Sequence, residues 1–154
     1  MSPQPPAYTL DEIRAYLAEV FPQIALGRAF EIEAIGPMSA RVRLIFGPSH
    51  LRPGGTISGP SMFALADVAL YVAILAQIGP VGLAVTTNMN INFLRKPAPR
   101  DLIGETRLIK LGKRLAVGEV AIFSAGDAEM VAHESILGAR VECQYREDLL
   151  LQIE

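Results

Sequence analysis

Between Arg52 and Arg95 the chain carries one charged side chain, Asp67, set inside the apolar run SMFALADVALYVAILAQIG. Carboxylates are seldom left in apolar surroundings without a partner, and those that are retained are often proton-transfer groups or nucleophiles. The structural alternative is a buried carboxylate satisfied by hydroxyls or amides, for which Thr86, Asn88, Asn90 and Asn92 on the following segment are candidates. Just upstream, Ser58-Gly59-Pro60 stands where a helix containing Asp67 must begin. Proline suits the first helical turn, so Ser58 or Gly59 is the cap, and free N–H groups at the positive end of the helix dipole face outward. Asp67 follows Gly59 by eight residues, about 12 Å along a helix axis, too far for direct contact. A substrate between two subunits would meet the cap of one and the carboxylate of the other, which requires an oligomer.

The elements that hold these groups follow from periodicity. Pro3, Pro5 and Pro6 predict a mobile tail over 1–8. Thr9-Leu10-Asp11-Glu12 is a capping box opening a helix over 9–21, which Pro22 ends. Phe30 to Ile35 and Ala40 to Phe46 alternate as a hairpin around Gly36-Pro37, and Gly47 to Gly59 reads as a loop. The apolar helix stops at Gly79-Pro80. Val85 to Phe93 has period two, with Thr86, Asn88, Asn90 and Asn92 on its even side. Strands over Asp101–Leu111, Leu115–Ser124 and Glu129–Val141 follow. One apolar helix among antiparallel strands implies an α+β fold, a curved sheet wrapped around that helix, in a single domain over 1–154.

Bulk properties narrow the function classes. Fourteen basic and sixteen acidic side chains without basic clusters disfavour nucleic acid and anionic membranes as partners. The start MSPQPPAYTLDEI lacks a secretory signal, and the lone Cys143 suits a reducing compartment, so a cytoplasmic location is expected. An aspartate at the centre of the apolar stretch argues for a core helix over a membrane span. His50 and His133 are far apart, no metal-ligand spacing occurs, and P-loop, dinucleotide and GxSxG motifs are missing. Gly112-Lys113-Arg114 reads as a solvated turn that could also bind phosphate.

The ordered series GTISGPSMFALAD, TTNMNINFLRKP and IKLGKRLAVGEV, spanning about Leu44 to Arg140, resembles the hotdog-fold acyl-CoA thioesterases of the PaaI-like type. The resemblance implies an antiparallel sheet around one long helix, a homodimer or homotetramer, and hydrolysis of acyl- or aryl-CoA at a subunit interface without a cofactor or metal. By motif, Asp67 matches the catalytic carboxylate, as general base or as nucleophile, and Gly59 matches the N–H that polarises the thioester carbonyl. Ser58 stands at the cap, and Thr86 at a position where a hydroxyl lies near the attacking water. Contacts to the substrate are implied for Arg52, Asn88, Asn90, Phe93, Arg95, Lys110, Lys113 and Arg114. The family's His-Gly-Gly is Ser58-Gly59-Pro60 here, and its upstream Asn or Gln is Arg52. These departures leave open a non-catalytic acyl-CoA binding module; enoyl-CoA hydration lacks its hydratase motif.

Overall fold

The computed structural model describes residues 4–79 and 82–142, with side chains over 4–79 and 84–136. Helix α1 spans Leu10–Val20, and the predicted capping box is formed: Thr9 N–H donates to Glu12 Oε2 at 2.7 Å, while Glu12 N–H donates to Thr9 Oγ1 at 3.2 Å. Its buried Ile13 and Leu17 face the core. The mobile tail expected over 1–8 is corrected at its end. Ala7 and Tyr8 N–H both donate to the Ala76 carbonyl, and Tyr8 stacks on Tyr16, so the chain is already pinned before the helix starts.

The strands are β1 (Phe30–Gly36), β2 (Ser39–Leu44), β3 (Leu51–Arg52), β4 (Thr56–Ile57), β5 (Gly82–Phe93), β6 (Leu102–Leu111), β7 (Leu115–Ser124) and β8 (Met130–Glu142). Six of them form one antiparallel sheet in the order β1-β2-β6-β7-β8-β5. The segment Gly47 to Gly59, expected as a loop, contains a single 3-10 turn at Pro48–His50 and the small hairpin β3-β4. Gly54 and Gly55, at φ of 100° and 72°, supply the left-handed backbone that this tight reversal needs. Cys143 lies outside the described residues.

Helix α2, Gly59–Ile78, lies across the inner face of the sheet. By length and composition it could span a bilayer, but eleven of its residues are buried in the core. Its approach to the sheet is close. A Cβ on Gly118 of β7 would stand 2.6 Å from Leu70 Cδ1, and one on Gly104 of β6 would stand 3.2 Å from Leu65 Cγ. A larger residue at either position would crowd these leucine side chains, so the glycines let the helix pack close to the sheet. The burial is one-sided. Pro60, Phe63, Ala64 and Asp67 form an exposed stripe at helical spacing that looks past the edge strand β5.

Candidate active site

Ser58 caps α2: its Oγ accepts from Ser61 N–H at 3.4 Å and lies 2.9 Å from Ser61 Oγ. Its own N–H donates to the His50 carbonyl at 2.8 Å, which ties the cap to the 3-10 turn. Gly59 is therefore the first helical residue, and its N–H has no acceptor among the described residues. The ring of Phe93, at the end of β5, covers Gly59. A Cβ there would stand 3.1 Å from Phe93 Cζ. Phe93 also meets Phe63 edge to face, with centroids 6.3 Å apart.

Gly59 lies at one wall of an open cleft of about 520 Å³ that Arg52, Ile57, Met62, Phe93, Arg95 and Lys96 also line. The cleft gathers three cations. Arg95 is drawn toward Glu129 at 3.4 Å. Lys96, absent from the residues expected at the site, was legible as the next residue of the Leu-Arg-Lys-Pro run.

Asp67 is exposed within the chain, so its reading as a buried carboxylate is corrected: the open stripe of α2 carries it to the surface. Thr86 Oγ1 donates to its Oδ1 at 2.5 Å. No cation pairs with it among the described residues, whose carboxylate–cation contacts lie elsewhere on the chain.

The three asparagines do not join it. The β5–β8 register shifts between Thr86 and Asn88, making Thr87 the extra residue of a bulge. Beyond it, Ile91 pairs with buried Glu134 and Phe93 with buried Ala132, while Asn90 pairs with exposed Ser135 and Asn92 with His133. Asn88, Asn90 and Asn92 thus share the outer face, and Thr86 alone faces α2. A second bulge, between Leu108 and Lys110 of β6, likewise turns Lys110 outward, opposite Val117.

The chain therefore divides the predicted site residues. Arg52, Ser58, Gly59, Phe93 and Arg95 gather at the start of α2, and Asp67 with Thr86 stands about two turns further along the helix. Asn88, Asn90 and Lys110 lie on the other side of the sheet. Lys113 and Arg114 are exposed in the β6–β7 turn, which Gly112 N–H closes by donating to the Leu115 carbonyl at 2.8 Å. That turn is level with Val85, at the end of β5 opposite Phe93.

One acidic residue lies outside every sequence expectation. Glu134 of β8 is fully buried, and neither carboxyl oxygen has a hydrogen-bond partner among the described residues. Burial first, and the negative charge of Asp67 second, push its carboxyl up to about 8. Its signal was parity, because it alternates in step with Ala132 and Ile136. Among the described residues no cluster of three or more His, Cys, Asp and Glu side chains is arranged to hold a metal.

Comparison with known proteins places this geometry. No curated protein matches the chain. Among solved structures, a candidate thioesterase from Silicibacter sp. TM1040 is 46% identical, with 90% of this chain and 96% of that one covered and a TM-score of 0.82. A thioesterase from Haemophilus influenzae shares the fold at 16% identity, 91% and 95% coverage and a TM-score of 0.77. The phenylacetic acid degradation protein PaaI from Thermus thermophilus, as a point mutant, does so at 24% identity, 78% and 99% coverage and a TM-score of 0.67. The family model described as the Thioesterase superfamily matches residues 54–131, from the β3–β4 turn through the start of β8. With its antiparallel sheet wrapped around one long helix, the chain belongs to the thioesterase superfamily and has the hotdog fold.

Proposed function

We propose that the protein hydrolyses an acyl- or aryl-CoA thioester with Asp67 as general base. A water oxygen attacks the thioester carbonyl carbon while Asp67 takes its proton. The carbonyl oxygen becomes an oxyanion, which the Gly59 N–H and the α2 dipole stabilise. The intermediate collapses with cleavage of the C–S bond, and the proton held by Asp67 passes to the departing CoA sulfur. Thr86 holds the carboxylate in place, and no cofactor takes part. The observation that carries this reading is a solvent-facing carboxylate on a core helix, fixed by a hydroxyl at 2.5 Å and free of any cation among the described residues.

Within one chain Gly59 and Asp67 stand too far apart to act on one carbonyl, so the working site combines Gly59 of one subunit with Asp67 of another. The free edge of the twelve-residue β5 supports pairing with a second copy, as a homodimer or a dimer of dimers. Arg52, Arg95 and Lys96 are assigned to the anionic part of CoA. Asn88, Asn90, Lys110, Lys113 and Arg114 reach the same substrate only from another copy. The proposed setting is cytoplasmic, with no nucleic-acid or membrane partner.

The alternative, a binding module without turnover, rests on the cap, where Ser58 spends its hydroxyl on Ser61 and Pro60 has no N–H to offer. A panel of acyl- and aryl-CoA esters with free-thiol detection separates the readings. Turnover of any member supports hydrolysis. Saturable binding across the panel without thiol release contradicts it.

A further inference from the structure

The proposed mechanism uses one carboxylate of the α2 seam and leaves Glu134 without a task. That residue sits on the inner face of β8, between Ala132 and Ile136, and pairs across to Ile91 of β5 and Val120 of β7. Those neighbours are apolar, and Ala132, Ile136 and Val120 are buried. Among the described residues, Asp67 on α2 is the charged group that acts on it, and neither β5 nor β7 presents a cation to this face. Both oxygens of the side chain are fully desolvated, and neither has a hydrogen-bond partner among the described residues. An ionised carboxylate in that position would be far costlier than a neutral acid.

We propose that Glu134 is a positioning residue acting through Asp67: it carries a proton through the neutral range, so the seam holds one negative charge rather than two, and its ionisation shuts down thioester hydrolysis. The inference rests on the thioesterase reading. Attack of water spreads negative charge onto the thioester oxygen and then onto sulfur. A second anion acting on Asp67 tightens its hold on the proton that it must hand to the sulfur, and low dielectric makes that effect strong. A neutral acid does not.

The direction of the shift also fixes a stability effect. The folded carboxyl titrates at about 8 instead of the ordinary 4.5, so the stability it contributes is fully present below 4.5 and is lost as pH rises through 8. Glutamine keeps the shape of the protonated acid and cannot ionise.

The test compares wild type and Glu134→Gln in two assays: thiol release from hexanoyl-CoA and benzoyl-CoA across pH, and urea denaturation across the same range. The wild-type rate is expected to fall about tenfold per pH unit above about 8. Glu134→Gln should match wild type near neutrality, lose that alkaline limb and resist urea better than wild type at alkaline pH. An unchanged alkaline limb in the variant, or a rate lost at every pH, would overturn the proposal. Should the variant not fold, carbon-13 NMR of the glutamate carboxyls in wild type decides: a midpoint near 8 supports the assignment, and titration of every carboxyl in the usual range overturns it. Absence of turnover by wild type across the whole acyl- and aryl-CoA panel overturns the thioesterase reading itself, while the denaturation and NMR results report the charge state of Glu134 without substrate.

Discussion

The two faces of the sheet treat acidic side chains in opposite ways. On the outer face carboxylates are matched to guanidinium groups: Glu33 bonds Arg41 at 2.8 Å and Arg43 at 2.5 Å, Asp101 bonds Arg43 at 3.1 Å, Glu105 bonds Arg41, and Glu119 bonds Arg107 at 2.5 Å. Hydrogen bonds from Arg107 hold the Glu119 carboxyl below its ordinary range, and those from Arg41 and Arg43 outweigh burial to do the same for Glu33. At the α2 seam, Asp67 has only a hydroxyl and Glu134 has no partner at all among the described residues, and Glu134 is pushed the other way. The outer face matches these acids to cations, whereas neither Asp67 nor Glu134 has a cation partner among the described residues. A buried carboxylate without a partner weakens a protein, so the presence of Glu134 near Asp67 is best explained by chemistry.

Giving the seam a cation breaks the contrast most severely. Asp67→Lys removes the base, which alone is worth about 10²- to 10⁴-fold in rate. It also offers Glu134 a positive neighbour, so the variant should be inactive in thiol-release assays yet more resistant to urea than wild type above pH 8. Gly59→Ala should follow. Its methyl meets the Phe93 ring at 3.1 Å, and displacing the oxyanion donor by a fraction of an ångström should lower kcat about tenfold to a hundredfold, read in steady-state kinetics. Thr86→Val keeps the shape but deletes the hydrogen bond to Asp67. Bonds to charged groups are worth about 1.5 to 3 kcal/mol, so kcat should fall about tenfold or more with KM little changed.

How much of this was legible beforehand depended on whether the signal was local. The capping box at Thr9, the ends of β7 and the extent of α2 follow from short-range chemistry, and the structure has them where the residues put them. The bulges at Thr87 and Ile109 do not announce themselves. Val85 to Phe93 alternates without a break, so a straight strand would set Thr86 beside the asparagines, whereas the inserted residue reverses every side chain beyond it. The polarity of Asp67 was visible, but its exposure was not, because that depends on β5 being an edge and leaving one stripe of α2 uncovered. Glu134 was hidden by its type, since a glutamate in a strand is ordinarily read as an outward side chain.

Smaller effects come from the periphery. Replacing Arg52 and Lys96 together by alanine should raise KM for CoA thioesters several-fold at low ionic strength, and added salt should narrow the difference by screening the same attraction. Arg107→Ala, on the paired outer face where the side chain is 72% exposed, should shift stability by only about 0.5 kcal/mol and leave the rate of thiol release unchanged.

The most direct measurement is single-turnover thiol release, with enzyme in excess over a thioester that wild type hydrolyses, for wild type and Asp67→Asn side by side. Asparagine preserves the size of the side chain and an oxygen for Thr86 while removing the base. With both proteins shown to be folded and to bind the thioester, the rate should drop at least about a hundredfold in the variant. Equal rates would contradict the assignment of Asp67.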